Sequence, residues 1–308
     1  LLRDLHLASL SLYEELSKEL KDGFDFWQQG LLMLYTTEGG RLECSEMVEQ
    51  AEKMGVRARL LNTGEIRELD ANIRTHAPGG AYYPQDSHID PARFVVNLAK
   101  HVQGNDDTIQ VATDVLDFEA VNGKIETVRT SKGDFSADQI VLTAGAWSPT
   151  LIRNLKLKLP IQPAKGYSIT LNHTQDIPQI PLILEEAKVA VTPLGDRLRF
   201  AGTLELAGLD LSFNMRRVHA VLKAVPRYLD TEPVNLEQAE IWAGLRPCTP
   251  DGLPIIGRCP SINNLIVATG HAMIGISLAP ITGKLIAELV NEEQPSIDLE
   301  ALRVERFN

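Results

Sequence analysis

The run Leu265-Ile266-Val267-Ala268-Thr269-Gly270-His271-Ala272-Met273-Ile274-Gly275-Ile276-Ser277-Leu278-Ala279-Pro280, continuing through Thr282-Gly283-Lys284, constrains this chain more than any other segment. It starts as an apolar stretch of strand length and ends in a helical pattern. It therefore predicts a buried strand, a loop flanked by Gly270 and Gly275, and a helix. Glycines at those places let the backbone approach a ligand closely, and the helix start beyond them carries a partial positive charge. The competing reading of Leu265 to Val290 is a membrane span, which needs about 20 nearly unbroken apolar residues. Here His271, Lys284, Glu288 and several glycines interrupt the run.

The rest of the composition agrees with a layered globular enzyme. At 308 residues the chain can bury a substantial core, in one large or two interleaved domains. A net charge of −11 and the absence of any basic stripe exclude general nucleic-acid binding. Cys44, Cys248 and Cys259 are too few and too scattered for a disulfide framework or a zinc site, so no metal is expected and a reducing compartment is. The polar-interrupted helical pattern at the start has no small-residue cleavage site and predicts no signal peptide. Asn172-His173-Thr174 is a formal glycosylation sequon that nothing else in the sequence supports.

Periodicity orders the remaining elements. Leu2, Leu5, Leu12, Leu16 and Leu20 predict an opening helix. A strand is expected over Gly30 to Thr36, a helix from about Ser45 to a stop at Gly55, and a short helix capped by Thr63. Residues 71–80 read as loop. In Asp90-Pro91 an acceptor precedes a proline that fits the first helical position, so a helix should run to about Val102, burying Phe94, Val95, Leu98 and Val102. Strands are predicted over 109–121, 124–130 and 134–143, the first two joined at Asn122-Gly123, where both residues tolerate positive φ. Short strands at 166–171, 182–184, 187–192 and 197–205, a helix near 213–228 and a strand near 236–243 form a middle block with antiparallel texture.

Four motifs, in register, carry a more specific resemblance. They are Tyr82-Tyr83-Pro84-Gln85-Asp86-Ser87-His88-Ile89-Asp90-Pro91, the strand end Ala144-Gly145-Ala146-Trp147-Ser148, Trp242-Ala243-Gly244-Leu245-Arg246-Pro247-Cys248-Thr249-Pro250-Asp251-Gly252-Leu253-Pro254-Ile255-Ile256-Gly257, and the Gly270 loop with its helix. From near residue 1 to about 290 the chain resembles the FAD-dependent D-amino-acid oxidase, glycine oxidase and D-amino-acid dehydrogenase family.

The resemblance implies a role for each matching position. Arg246 corresponds to the arginine that binds the substrate carboxylate, a task suited to a planar guanidinium that can hold it bidentately. Gly270, His271, Ile274, Gly275, Ile276 and Ser277 correspond to the loop and helix start beside the flavin. Gly145, Ala146 and Trp147 correspond to the strand end near its diphosphate or adenosine, and Val115 to a position whose backbone meets adenine. His271 and Trp147 are equally at home as packing residues. The implied reaction passes the α-hydrogen as hydride to the flavin while an imine forms, so no strong side-chain base is needed.

Departures from the pattern matter too. Where relatives carry a tyrosine over the carboxylate, near 187–192, this chain has Ala187-Lys188-Val189-Ala190-Val191, and Met273 stands where glycine oxidases have a second arginine. Both favour a bulkier or less polar substrate than glycine. Lys165, Tyr167 and Tyr82 are the candidates that could compensate. The G-x-G-x-x-G fingerprint that opens the family is nowhere in the sequence. With the lack of an initiator methionine, this leads to the expectation of a piece of a longer flavoenzyme, inactive alone, whose retention of FAD is open.

The expectation is thus an α/β (α+β) fold: an incomplete, Rossmann-like FAD-binding domain from 1–22, 86–158 and 241–308, with an inserted antiparallel-sheet substrate domain from 23–85 and 159–240. The partner is a small amino acid or amine. Lys165-Gly166-Tyr167-Ser168 and Thr249-Pro250-Asp251-Gly252 lean to the bacterial dehydrogenase branch, which implies a cytoplasmic protein that can contact the inner membrane and its quinones. Oligomeric state is left open. Two rivals remain: a flavin-free binding module, and a serine hydrolase using Ser277 in Gly275-Ile276-Ser277-Leu278-Ala279, an approximate nucleophile elbow.

Overall fold

A computed structural model describes residues 1–20, 23–104, 107–155, 157–172, 177–231 and 234–307. Two residues of the Asn172-His173-Thr174 sequon lie outside the described residues. The chain opens with α1 (Leu2–Glu19), which buries Leu5, Ser9 and Tyr13, and continues into strand β1 (Leu31–Tyr35). Helix α2 (Glu38–Lys53) starts well before the expected Ser45, because the Thr37 side chain accepts the Gly40 amide and sets the first turn. Gly39-Gly40 looks like a breaker in sequence, yet a β-carbon at Gly40 would strike the Glu186 carboxylate and the Tyr35 side chain.

Strand β2 (Arg59–Asn62) leads into α3 (Thr63–Leu69). Its cap is Asn62, not the expected Thr63: Asn62 and Glu65 form a reciprocal capping box. Strand β3 (Gly79–Tyr83) begins inside the predicted loop. Helix α4 (Pro91–Gln103) begins as expected, with Asp90 accepting the Ala92 and Arg93 amides. It buries Phe94, but Val95 is 57% exposed, so the apolar stripe is narrower than the sequence suggested.

Next come β4 (Val115–Val121), β5 (Lys124–Thr130), β6 (Gly133–Phe135) and β7 (Ile140–Leu142), with positive φ at both Asn122 and Gly123 in the first hairpin. A 3-10 turn at Gly145–Trp147 feeds the short helix α5 (Ser148–Leu151). Then follow β8 (Gln162–Leu171), β9 (Leu182–Leu184), β10 (Val189–Leu194), β11 (Arg197–Glu205) and α6 (Met215–Ala224). Strand β12 (Ala239–Cys248) is longer than predicted, and β13 (Ile255–Arg258), β14 (Leu265–Thr269) and α7 (Gly275–Val290) complete the order.

Among the described residues the largest sheet has the order β12-β8-β11-β10-β9-β1-β3-β2. It unites the two sequence blocks expected to form the substrate domain, but it is mixed: β1 and β9 run parallel, Leu32 opposite Leu182, where an all-antiparallel layer was expected. The expected boundary at 240/241 falls inside β12, which pairs with β8 along its whole length. Leu32, Leu34, Leu182, Val191, Phe200 and Tyr228 fill the core against this sheet.

A second sheet, β13-β14-β7, pairs β14 with β7 in parallel. Helices α1 and α7 pack beside it, where the Ser9 hydroxyl donates to Ser277 O at 2.5 Å and the Tyr13 hydroxyl to Ile276 O at 2.6 Å. The third sheet, β4-β5-β6, is tied to it through Asn264, whose amide bonds both the N–H and the C=O of Ile125 at 2.9 Å.

One carboxylate clamps the large sheet. Glu186 accepts from Thr36 N, Thr37 N and the Thr37 hydroxyl, each at 2.8 Å, and from the Tyr228 hydroxyl at 2.7 Å. Burial opposes its ionisation, but these donors outweigh burial and hold its pKa at about 2. A carboxyl depressed in the folded state contributes stability above its ordinary 4.5 and loses it as pH falls toward 2. Glu186→Gln is expected to lower the melting temperature at neutral pH and to flatten the acid limb of a stability profile; an unchanged acid limb would contradict the clamp.

Candidate functional site

Arg246 sits near the end of β12, opposite Ala164 of β8, with Gly244 opposite Gly166 and Trp242 opposite Ser168. Alternate residues of a strand share a face, so Trp242, Gly244 and Arg246 point the same way. The Arg246 side chain lies back along the sheet over Gly166: a β-carbon there would overlap Cζ, Nη1 and Nη2 of the guanidinium. Nη1 donates to the Thr203 carbonyl at 3.2 Å. Thr203 is left-handed, at φ 67°, where the β8–β11 register slips between Gly202 and Glu205. A β-branched residue in that conformation is strained, and here the bulge turns its carbonyl toward the cation.

The guanidinium helps wall a cavity of about 770 Å³ with Ile183, Val189, Ala201, Val221 and Met273. Lys188 also borders it, but its ammonium is paired with Glu185. Arg246 has no carboxylate partner among the described residues, while burial lowers its pKa by disfavouring the charged form. A partly desolvated cation without a counter-ion, beside apolar walls, attracts an anion that brings an apolar group with it.

The Gly270 loop reaches the same place. Cys248 and His271 form an isolated antiparallel bridge, and Ala272 N donates to Pro247 O at 3.0 Å. Gly270, at φ 79°, has no room for a side chain, because a β-carbon would meet Thr249 Cγ2 at 2.6 Å. The bridge brings Met273 beside Arg246. His271 Nε2 pairs with the Thr282 hydroxyl at 3.0 Å, and burial pushes its pKa down to about 4, so it is a neutral imidazole at physiological pH. Helix α7 then starts at Gly275 with Ile274 as an N-cap that offers no side-chain acceptor. Its first-turn amides, including those of Ile276 and Ser277, are the orphan donors of a helix N-terminus.

Gly145, at φ 53°, accepts the Thr269 hydroxyl at 3.2 Å, so the Gly145–Trp147 turn abuts the end of β14. Ala146 is buried, whereas Trp147 is 45% exposed. Val115, in the third sheet, is not brought to the Arg246 cavity. Neither are three candidates for substrate contact. The Tyr82 ring covers Gly30 and its hydroxyl donates to Gln29 O at 3.0 Å. Lys165 Nζ binds Asp210 and Ser212 O, both at 2.9 Å. The Tyr167 hydroxyl donates to Glu205 at 2.8 Å and accepts from Asn214 N at 3.2 Å. Lys165 and Tyr167 alternate with Gly166 along β8, so their side chains leave on the other face and secure the 205–214 segment. Among the described residues no imidazole hydrogen-bonds Ser277, and no cluster of His, Cys, Asp and Glu could hold a metal ion.

Sequence reasoning missed Gly166 as the surface under Arg246, and it missed Thr203. The glycine lay within a quoted motif, but only strand pairing shows what crosses it. No local signal marks a threonine that adopts positive φ.

The family described as "FAD dependent oxidoreductase" (DAO) matches residues 1–289. The chain is 36% identical to a D-amino acid dehydrogenase of Chromohalobacter salexigens over 286 residues, covering 91% of this chain and 68% of that one. A D-amino acid dehydrogenase of Vibrio atlanticus is 32% identical over 285 residues, with the same coverage of 91% and 68%. Among solved structures, glycine oxidase from Geobacillus kaustophilus superposes with a TM-score of 0.89 at 27% identity, covering 99% of this chain and 83% of that one. The chain belongs to the DAO family of FAD-dependent oxidoreductases.

The neutral state of His271 is directly measurable. The lowered pKa means that its folded-state imidazole should titrate near 4 rather than 6.5 when followed by NMR, and that its contribution to stability, complete above 6.5, declines between 6.5 and 4. A midpoint near 6.5 would show an exposed ring and a displaced loop.

Proposed function

We propose that this chain oxidises the C–N bond of a D-amino acid with an apolar side chain to the imine, which water then hydrolyses to the 2-oxo acid and ammonia. The observation that carries this reading is the Arg246 guanidinium, unpaired with any carboxylate among the described residues, at the wall of a cavity otherwise dominated by apolar side chains. FAD, when bound, supplies the acceptor for the hydride that leaves the α-carbon.

The residues present suit the flavin-ring end of that cofactor, while the G-x-G-x-x-G fingerprint of its diphosphate site is not in the sequence. Gly145 and Gly270 adopt positive φ, the α7 start offers amides without a side-chain cap, and Trp147 and Ile276 leave apolar surface exposed next to them. Amides of Gly275, Ile276 and Ser277 would stabilise negative charge on the isoalloxazine edge. Gly145, Ala146 and Trp147 would hold the diphosphate or adenosine side, with Val115 toward adenine. His271, neutral and bonded to Thr282, serves to hold the loop and is no proton source at physiological pH.

Arg246 would grip the substrate carboxylate and fix the α-carbon against the flavin, which makes orientation the main contribution of the protein. Met273, Ala187, Val189 and Ala190 offer no second cation or phenol for a carboxylate, which supports a substrate side chain longer and less polar than that of glycine. The division into an FAD-binding part (1–22, 86–158, 241–308) and a substrate part (23–85, 159–240) is our proposal for how the layers share this work, with β12 spanning the border.

Arg246→Ala should raise KM for D-alanine roughly 10- to 150-fold, the loss expected for a hydrogen bond to a charged group. Steady-state kinetics of the FAD-loaded protein provide the check, and an unchanged KM would remove the assignment.

For the electron acceptor we propose membrane quinone. No helix among the described residues is long and apolar enough to cross a membrane. Peripheral contact is supported by the exposed Leu204, Leu206, Leu209, Leu211, Phe213 and Met215, followed along the chain by the exposed basic residues Arg216, Lys223 and Arg227, in a chain that is acidic overall. The protein should float with vesicles containing anionic lipid, and Leu209→Asp with Phe213→Ser should abolish flotation. If the wild-type protein stays at the bottom of the gradient, this surface does not bind membranes.

A further inference from the structure

We propose that Gly166 is a positioning residue for Arg246: its missing side chain provides the shelf on which the guanidinium lies, and the Thr203 carbonyl tethers one end of it. The proposal rests on the reading of Arg246 as the carboxylate anchor and explains how that anchor is aimed.

Three observations converge. First, β8 lies between β12 and β11 in the sheet, and glycine within an interior strand weakens it unless something must come close. Here something does: a β-carbon at position 166 would fall inside the guanidinium, whereas at Gly202, in the neighbouring strand, it would meet Val221 and Val189 at 3.2 and 3.3 Å and the Lys188 carbonyl at 3.6 Å. Secondly, Gly166 does not need glycine for its own backbone, since its φ lies outside the positive range in which L residues are strained. Its smallness therefore serves a neighbour. Thirdly, Arg246 Nη1 is already engaged by the Thr203 carbonyl, which the left-handed Thr203 backbone presents. A guanidinium has five N–H donors in one plane. With the plane set by the shelf and one donor taken, the others are oriented before any ligand arrives.

The atoms that a β-carbon would displace belong to the far end of a flexible side chain, not to backbone. Gly166→Ala should therefore leave the fold intact and lift the guanidinium. An alanine at a compatible φ also restricts the unfolded chain, so the melting temperature should stay level or rise.

The test is a double-mutant cycle on the FAD-loaded protein with Gly166→Ala, Arg246→Ala and the double variant, using D-alanine as substrate. A second readout independent of turnover is the thermal shift given by propionate, with propionamide as the neutral control. We expect Gly166→Ala to raise KM about tenfold or more with a much smaller change in kcat, and to weaken the propionate shift without affecting propionamide. In the Arg246→Ala background it should add almost nothing, because the group it displaces has gone.

Unchanged KM and unchanged propionate binding in Gly166→Ala, with both lost in Arg246→Ala, would overturn the proposal and leave the carboxylate reading standing. Equal losses from Gly166→Ala with and without the arginine, accompanied by a lower melting temperature, would reduce Gly166 to a packing role and overturn it too. If Arg246→Ala itself changes neither KM nor propionate binding, the underlying reading fails with it.

Discussion

The pairing of β8 with β12, in register from Gln162 opposite Cys248 to Leu171 opposite Ala239, supports everything proposed about the site. It sets Arg246 against Gly166, carries the large sheet to its edge and ends where Cys248 meets His271. A slip of one residue would turn Arg246 to the other face. The same strand therefore supplies the cation and secures the loop that precedes α7. Cavity and loop become neighbours through main-chain hydrogen bonds, which are less easily displaced than side-chain contacts.

Charge and burial act in opposition at this junction, and the balance is informative. A partly desolvated cation is costly unless paired, and Arg246 has a carbonyl as its hydrogen-bond partner. Among the described residues Asp90 is bonded to Arg197 and caps α4, and Lys165 is held by Asp210, whereas Arg199, desolvated like Arg246, has the Thr170 hydroxyl. Arg246 differs from Arg199 in facing a cavity, and an arginine left short of an anion there keeps its interaction free energy for a ligand. The strain at Thr203 is of the same kind, since left-handed backbone at a β-branched residue persists only where surrounding structure enforces it.

Much of the local structure was legible in the sequence because its causes are local. Asp90-Pro91 spells the start of α4, Asn122-Gly123 the turn between β4 and β5, and the apolar run at 265–269 a buried strand. Failures came where a distant partner decides. The early start of α2 is capped locally by Thr37, but Thr37 is itself held by Glu186 from far along the chain, and the parallel contact between β1 and β9 joins segments separated by α2 through α5. Strand β12 continues through Pro247, which is tolerated because β12 is an edge strand. At the site, Arg246, Met273 and the Gly270 loop were found by resemblance, and the structure brings them together. Tyr82, Lys165 and Tyr167 were chosen for chemistry alone, and chemistry does not reveal which face of a strand a side chain leaves by.

On the proposed reading, Arg246 orients an apolar D-amino acid by its carboxylate for oxidation by FAD. Anaerobic mixing of the FAD-loaded protein with D-alanine, and separately with D-alaninamide, tests it most directly. D-Alanine should bleach the flavin absorbance, and the amide, which has the same α-hydrogen and lacks the anion, should bleach it far more slowly. Equal rates with the two compounds would contradict it.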